Sequence, residues 1–239
     1  MKAIILAAGI GSRLMPQTQN IPKALLKVNG KTILDIELAN LISSDINDII
    51  IVTGHMHAMM KQYVAEKYPD HGITLVENRE FATTNYIYSI WLTRELIDDD
   101  IIILHGDMVF EGGLLTKLLD SPTENAALIN NVIEPPEKDF KAIIKDGIIE
   151  RIGVDCFGEN AFFCAPIYRF SMFGFSRWLK EIDSFVVNGN VTCYAEDAFN
   201  NIADEIKLGA AYYEKEFCME IDTPEDLEIA KEYYSKHAW

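Results

Sequence analysis

The feature that most restricts the fold is a regular alternation through the first half of the chain. Short apolar runs rich in β-branched residues exchange with stretches of helical periodicity. Residues 2–8, 48–53, 73–77 and 101–104 read as strands, and 32–44, 58–68 and 85–97 as the helices between them. In 32–44 the apolar positions Ile33, Leu34, Ile36, Leu38, Leu41 and Ile42 form one broad stripe. Strands that are apolar throughout are buried on both faces. That demands a mixed, mainly parallel central sheet flanked by helices, an α/β fold.

The second half is less regular. Residues 125–132 and 161–170 read as strands, and 141–144 and 148–152 flank Asp146-Gly147 as a hairpin. Residues 175–187 and 196–206 have helical character, and Pro224 stands where a last helix, to 234, begins.

Composition removes several classes of function. The 239 residues carry 37 Asp+Glu against 21 Lys+Arg, a net charge of −16, with 49% hydrophobic residues. A sequence-independent nucleic-acid binder needs clustered cations, and a protein docking on anionic lipid needs them too. No basic run exists here, and no apolar run approaches the roughly 20 residues of a membrane span. The apolar start is brief and enters a Gly/Arg loop at once, so no leader is expected. Cys156, Cys164, Cys193 and Cys218 have no CxxC spacing, which predicts reduced thiols in a cytoplasmic protein and no zinc site. The charge is uneven: residues 1–119 have a net of −4 and residues 120–239 a net of −12.

A loop follows the first strand: Leu6-Ala7-Ala8-Gly9-Ile10-Gly11-Ser12-Arg13. Glycines there let backbone N–H groups approach phosphate oxygens. The loop lacks the Gly-Lys-Ser/Thr of a P-loop and the third glycine of a dinucleotide fingerprint. Arg13 lies within it and Lys23 follows Pro22 at its end; two cations beside a Gly-rich turn suit a triphosphate. Asp107 ends the buried run 101–106, and Asp222 precedes Thr223-Pro224. Each also has a local reading, Asp107 in a turn and Asp222 as a helix cap.

The pattern Leu6-Ala7-Ala8-Gly9-x-Gly11-x-Arg13, with Pro16, Thr18 and Pro22-Lys23, resembles the opening motif of the nucleotidyltransferase superfamily. The resemblance implies a single Rossmann-like domain over 1–239, with a nucleotide-binding half at about 1–119 and an acceptor-binding half at about 120–239. It implies transfer of a nucleoside monophosphate from a triphosphate to a phosphate acceptor. Arg13 and Lys23 would then be catalytic, with Leu6, Ala7, Ala8, Gly9, Gly11 and Ser12 around the nucleotide. Asp107 and Asp222 match the positions that hold Mg²⁺ in that family, and Glu220 a neighbouring acidic one. Hard carboxylate oxygens suit Mg²⁺.

The segment 77–91, which includes Asn78, Phe81, Thr84 and Asn85-Tyr86-Ile87-Tyr88-Ser89, is closer to bacterial choline-phosphate cytidylyltransferases than to sugar-nucleotide enzymes, which usually carry a Gly-rich stretch here. It implies CTP as donor and a small phosphorylated amino alcohol, or a phosphonate, as acceptor, phosphocholine first. The alternative is a sugar 1-phosphate with UTP or dTTP. Asn85 is a candidate for the pyrimidine edge or a simple helix cap. Tyr88 and Trp91 share a helical face, as core or as one wall of a cation site. Tyr194, Glu196 and Asp197 combine an aromatic with two acids, suited to a cationic head group or to a helix start. Phe162, Phe163, Tyr168 and Trp178 line a pocket or fill a core. His55 and His57 read as incidental loop residues and His105 as a packing residue. Oligomeric state is not legible.

Overall fold

The structure, a computed structural model, describes residues 1–237. In chain order the strands are β1 (Lys2–Ala7), β2 (Lys27–Val28), β3 (Lys31–Thr32), β4 (Asp48–Thr53), β5 (Gly72–Glu77), β6 (Ile101–His105), β7 (Met108–Phe110), β8 (Asn125–Asn130), β9 (Lys141–Lys145), β10 (Ile148–Gly153), β11 (Ala161–Phe170), β12 (Leu208–Tyr213) and β13 (Cys218–Glu220). The helices are α1 (Ile33–Ser43), α2 (His57–Lys67), α3 (Tyr86–Leu92), α4 (Gly113–Leu119), α5 (Met172–Val187), α6 (Ala195–Asn200) and α7 (Pro224–Lys236).

Nine strands form one sheet in the order β5-β4-β1-β6-β11-β8-β12-β10-β9. The first four, all from the first half of the chain, are parallel. From β6 onward the pairing turns mostly antiparallel; β8 and β12 are the parallel pair in that part. The parallel character expected from the sequence therefore belongs to the first half. The cause is connectivity: helical crossovers return each early strand in the same direction, whereas the hairpin at Asp146-Gly147 reverses it.

Ile4, Ile50 and Ile103 on one face of the sheet, and Ile5, Ile51 and Leu104 on the other, are all at most 1% exposed. Full burial of each such side chain contributes about 1.5–3 kcal/mol. Their alternation between the two faces explains why the run is apolar at every position. Phe163, Tyr168 and Trp178 fill the core of the second half. The elements not read from the sequence are short or weakly patterned: the β2–β3 hairpin, β7, β13, α4, and β12 with its Gly-Ala-Ala start.

Helix α1 begins with a full capping box, Thr32 and Asp35 bonding each other's backbone N–H groups at 3.0 Å. Asp35 also receives Lys67 Nζ and the hydroxyls of Tyr63 and Tyr68. Among the described residues no helix is long and apolar enough to cross a membrane. The four cysteines are unpaired.

Candidate active site

Strands β1, β4 and β6 end together, with Leu6 opposite His105 and Ala7 opposite Thr53. Ligands of open α/β sheets bind outside such carboxyl ends. A cavity of about 430 Å³ lies there. Leu6, Ala7, Ala8, Gly9, Gly11, Ser12, Arg13 and Lys23 all line it, from the loop that leaves β1. Gly11 takes φ 67° at the start of a short 3₁₀ turn, and a Cβ there would meet Thr18 Cγ2 at 3.1 Å and Lys23 Cβ at 3.2 Å. The Thr18 hydroxyl donates to the Gly11 carbonyl at 2.7 Å, which folds the loop back toward Lys23.

Asp107 and Asp222 are far apart in sequence, and two short strands bring them together. β13 pairs antiparallel with β7, setting Glu220 opposite Met108, and the Ile221 N–H donates to the Asp107 carbonyl at 2.9 Å. Gly106 permits the turn into Asp107: a Cβ there would sit 2.7 Å from that of Ala7. Between the two carboxylates lies Lys23, its Nζ 2.6 Å from Asp107 Oδ2 and 2.7 Å from Asp222 Oδ1. Arg13 Nη2 lies 2.8 Å from the other oxygen of Asp222. Burial disfavours the Lys23 ammonium, but the two carboxylates outweigh it and hold its pKa above the ordinary lysine value. Burial likewise opposes the Asp222 carboxylate; Lys23 and Arg13 more than offset this and lower its pKa.

The donor set suits a hard divalent cation. Asp107 Oδ1 is buried without a hydrogen-bond partner. One ligand atom each from His105, Asp107 and Glu220 fall within 4.8 Å of one another. Burial, and then the neighbouring Asp107 and Asp222, push the Glu220 carboxyl well above the usual range. A cation relieves that crowding. The structure thus adds His105 to the acidic positions expected, while Asp222 has both oxygens on Lys23 and Arg13.

The other wall is aromatic. Tyr86, His105, Phe140 and Tyr194 all line the cavity, and their rings close a cycle: 4.4 Å from Tyr86 to His105, 6.4 Å to Phe140, 5.0 Å to Tyr194 and 6.0 Å back to Tyr86. Glu196 stands behind them, 1% exposed, accepting the hydroxyls of Tyr86 and Tyr168. Burial, and then the charge of Glu196, push both tyrosines well above their ordinary pKa.

The structure does not bring every expected residue to the cavity. Tyr88 is outside its lining and stacks on Trp91 at 5.3 Å; its neighbour Tyr86 takes the inward position. Glu196 does not face the cavity directly, because its oxygens are taken by tyrosines. Asp197 accepts the Tyr194 N–H at 3.0 Å at the start of α6. Asn85 lines the cavity and also caps α3, accepting the Tyr86 N–H at 2.8 Å. His55 packs on Phe81, and His57 Nδ1 bonds Thr53 Oγ1 at 2.6 Å, so the two do not act as a pair. Lys138, Asp139, Phe140 and Val154, all in the lining, carry no signal in the sequence reading, and Asn78, Phe81 and Thr84 lie in the 77–91 segment without standing out individually. Asn78 is 1% exposed and bonds Thr84 and Ser89, which sets the shape of the 80–85 turn.

A parallel α/β core whose strand ends carry a Gly-rich loop, two cations and clustered carboxylates defines a class of proteins that handle phosphate esters. This chain belongs to the nucleotidyl transferase family, whose model matches residues 2–147. It is similar to a choline-phosphate cytidylyltransferase of Streptococcus pneumoniae, 41% identical over 111 residues, 46% of this chain and 47% of that one. It is also similar to a 2-aminoethylphosphonate cytidylyltransferase of Lancefieldella rimae, 25% identical over 228 residues, 94% of this chain and 89% of that one. A solved structure of a CTP:phosphocholine cytidylyltransferase from Streptococcus pneumoniae matches with TM-score 0.80 at 26% identity, over 97% of this chain and 98% of that one. The chain matches only about half, or less, of the length of several curated relatives, from 24% to 53%.

Proposed function

We propose that this protein transfers CMP from CTP to a small phosphate or phosphonate bearing an amine or quaternary ammonium, phosphocholine first, with release of pyrophosphate. The observation that carries this reading is the closed cycle of Tyr86, His105, Phe140 and Tyr194 in the same cavity as Arg13, Lys23, Asp107 and Asp222. Aromatic faces attract an ammonium group, whereas sugar hydroxyls call for hydrogen-bonding side chains. The similarity to cytidylyltransferases acting on phosphocholine and on 2-aminoethylphosphonate supports the same class.

In the reaction, an oxygen of the acceptor's phosphate attacks the α-phosphorus of CTP, and the bond to the β-phosphate breaks. That oxygen is already ionised, so no general base is needed, and catalysis rests on alignment and electrostatics. Arg13 and Lys23 neutralise charge developing on the departing pyrophosphate. Asp107 and Glu220, with His105 and Asp222 beside them, are the residues that would hold Mg²⁺. When bound, that ion supplies Lewis-acid stabilisation at the phosphates. Tyr86 and its ring neighbours orient the head group, and Glu196 holds Tyr86 in place while lending negative charge behind its ring. Asn85 and the 78–84 turn are the candidates for the base.

The test is pyrophosphate release with Mg²⁺, each of four nucleoside triphosphates and a panel of acceptors: phosphocholine, phosphoethanolamine, 2-aminoethylphosphonate and glucose 1-phosphate. CTP with an amine-bearing acceptor is the expected pair. Activity confined to glucose 1-phosphate with UTP or dTTP overturns the reading in favour of a sugar nucleotidyltransferase.

A further inference from the structure

A phosphate acceptor brings its own negative charge to a cavity that must also hold a triphosphate. Arg13 and Lys23 are both tied to Asp222, on the side of the β1 loop. Among the described residues, Lys138 is the one further lysine or arginine in the cavity lining. It comes from a different segment of the chain, two residues before Phe140 of the aromatic cycle.

The segment carrying Lys138 is built, not slack. Lys141 is 1% exposed and donates its ammonium to three carbonyls of that segment, Pro136 at 3.3 Å, Glu137 at 2.8 Å and Asp139 at 2.9 Å. These bonds wrap residues 136–139 around a fixed point, and Pro135-Pro136 further limits their freedom. Lys138 Nζ rests 3.1 Å from Asp226 Oδ2. That same oxygen accepts the N–H of Asp222 at 3.0 Å and of Thr223 at 2.8 Å. The Lys138 ammonium is therefore parked beside Asp222, at the junction of the acidic cluster and the aromatic wall.

We infer that Lys138 binds the phosphate or phosphonate group of the acceptor, a role that rests on the function proposed above. An acceptor whose ammonium sits against Tyr86, His105, Phe140 and Tyr194 and whose phosphate reaches toward Asp222 meets Lys138 between the two. Asp226 keeps two backbone donors when the lysine turns to the ligand, so no buried carboxylate is left bare. Lys138, with a side chain 43% exposed, is free to make that swing.

The experiment compares Lys138→Ala, Lys138→Arg and wild type in pyrophosphate release, with CTP and phosphocholine varied in turn. Loss of a charge-assisted hydrogen bond raises the acceptor KM about tenfold or more in Lys138→Ala. The CTP KM stays within about twofold of wild type, and Lys138→Arg recovers part of the loss. An unchanged acceptor KM in Lys138→Ala, or an equal rise in the KM of CTP, overturns the inference. If the wild type uses glucose 1-phosphate instead, the amine reading fails, and the same comparison with that acceptor still decides Lys138. A wild type that accepts neither overturns both.

Discussion

The ammonium of Lys23 lies 2.7 Å from the carboxylate of Asp222, 199 positions further along the chain. The same ammonium reaches Asp107 at 2.6 Å, so one buried cation holds two acids that would otherwise repel. Lys23→Ala is expected to lower turnover by about a hundredfold or more, since it removes a fixed positive charge from the reacting phosphates. Pyrophosphate release checks this, alongside a circular-dichroism melt to establish that the variant folds. Wild-type turnover in a folded variant would remove Lys23 from the chemistry.

Asp107 has a buried oxygen with no hydrogen-bond partner, and a ligand atom of its carboxylate lies within 4.8 Å of one each from His105 and Glu220. Asp107→Asn and Glu220→Gln are therefore expected to raise the Mg²⁺ concentration needed for half-maximal rate, Asp107→Asn more strongly. Lys23→Ala should lower the rate even at saturating Mg²⁺, whereas the two carboxylate variants should recover rate as Mg²⁺ is raised. Mg²⁺ titrations of the three variants separate the roles. Identical Mg²⁺ dependence in Asp107→Asn and wild type would show that the cation is held elsewhere.

Tyr86 and Asp197 are expected to part company. Tyr86→Leu removes a ring from the aromatic wall and should raise the KM for phosphocholine severalfold, since one cation–π contact is worth about 0.5–2 kcal/mol. Asp197→Asn weakens the start of α6, at a cost of about 0.5–1 kcal/mol, and should leave that KM unchanged. Steady-state kinetics and urea unfolding of both variants measure the split; a large KM effect in Asp197→Asn would return that carboxylate to the acceptor.

Asp35 sets an expected pH dependence of stability. Burial would raise its pKa, but Lys67, the Thr32 N–H, Tyr68 and Tyr63 hold the carboxylate down to about 2. A carboxyl whose pKa is depressed in the folded state stabilises that state above its unfolded pKa and loses the effect as pH falls toward the folded value. The contribution is thus full above about pH 4 and fades toward pH 2; at neutral pH it amounts to roughly 2 kcal/mol. Asp35→Asn should lower unfolding stability by that order at pH 7, and the gap should narrow through this window. A gap that stays constant down to pH 2 would mean that the charge is immaterial.

By sequence, most of the excess acid of the second half is solvated surface, and Glu196 and Asp197 suit either a cationic head group or a helix start. The structure puts Glu196 behind Tyr86 and Asp197 at the helix start. The cavity instead presents aromatic rings, with Glu220, Asp222 and Asp139 at its acidic end. A carboxylate's position in sequence near a helix start says where its backbone lies, but not which donors its oxygens will find.

The sequence by itself determined the α/β core, because uninterrupted apolar runs alternating with helical stripes admit few other packings. It also determined the β1 loop, since glycine freedom, Arg13 and Lys23 are local properties of consecutive residues. The tertiary structure alone decided the rest. The three-residue pairing of β7 with β13 brings Asp222 to Asp107, and strands that short carry no periodic signal. The choice of Tyr86 over Tyr88 for the cavity, and the arrival of Phe140, Lys138 and His105 beside it, depend on how helix α3 and the 134–140 segment pack. Those are long-range contacts between side chains, and no spacing within a single stretch of chain encodes them.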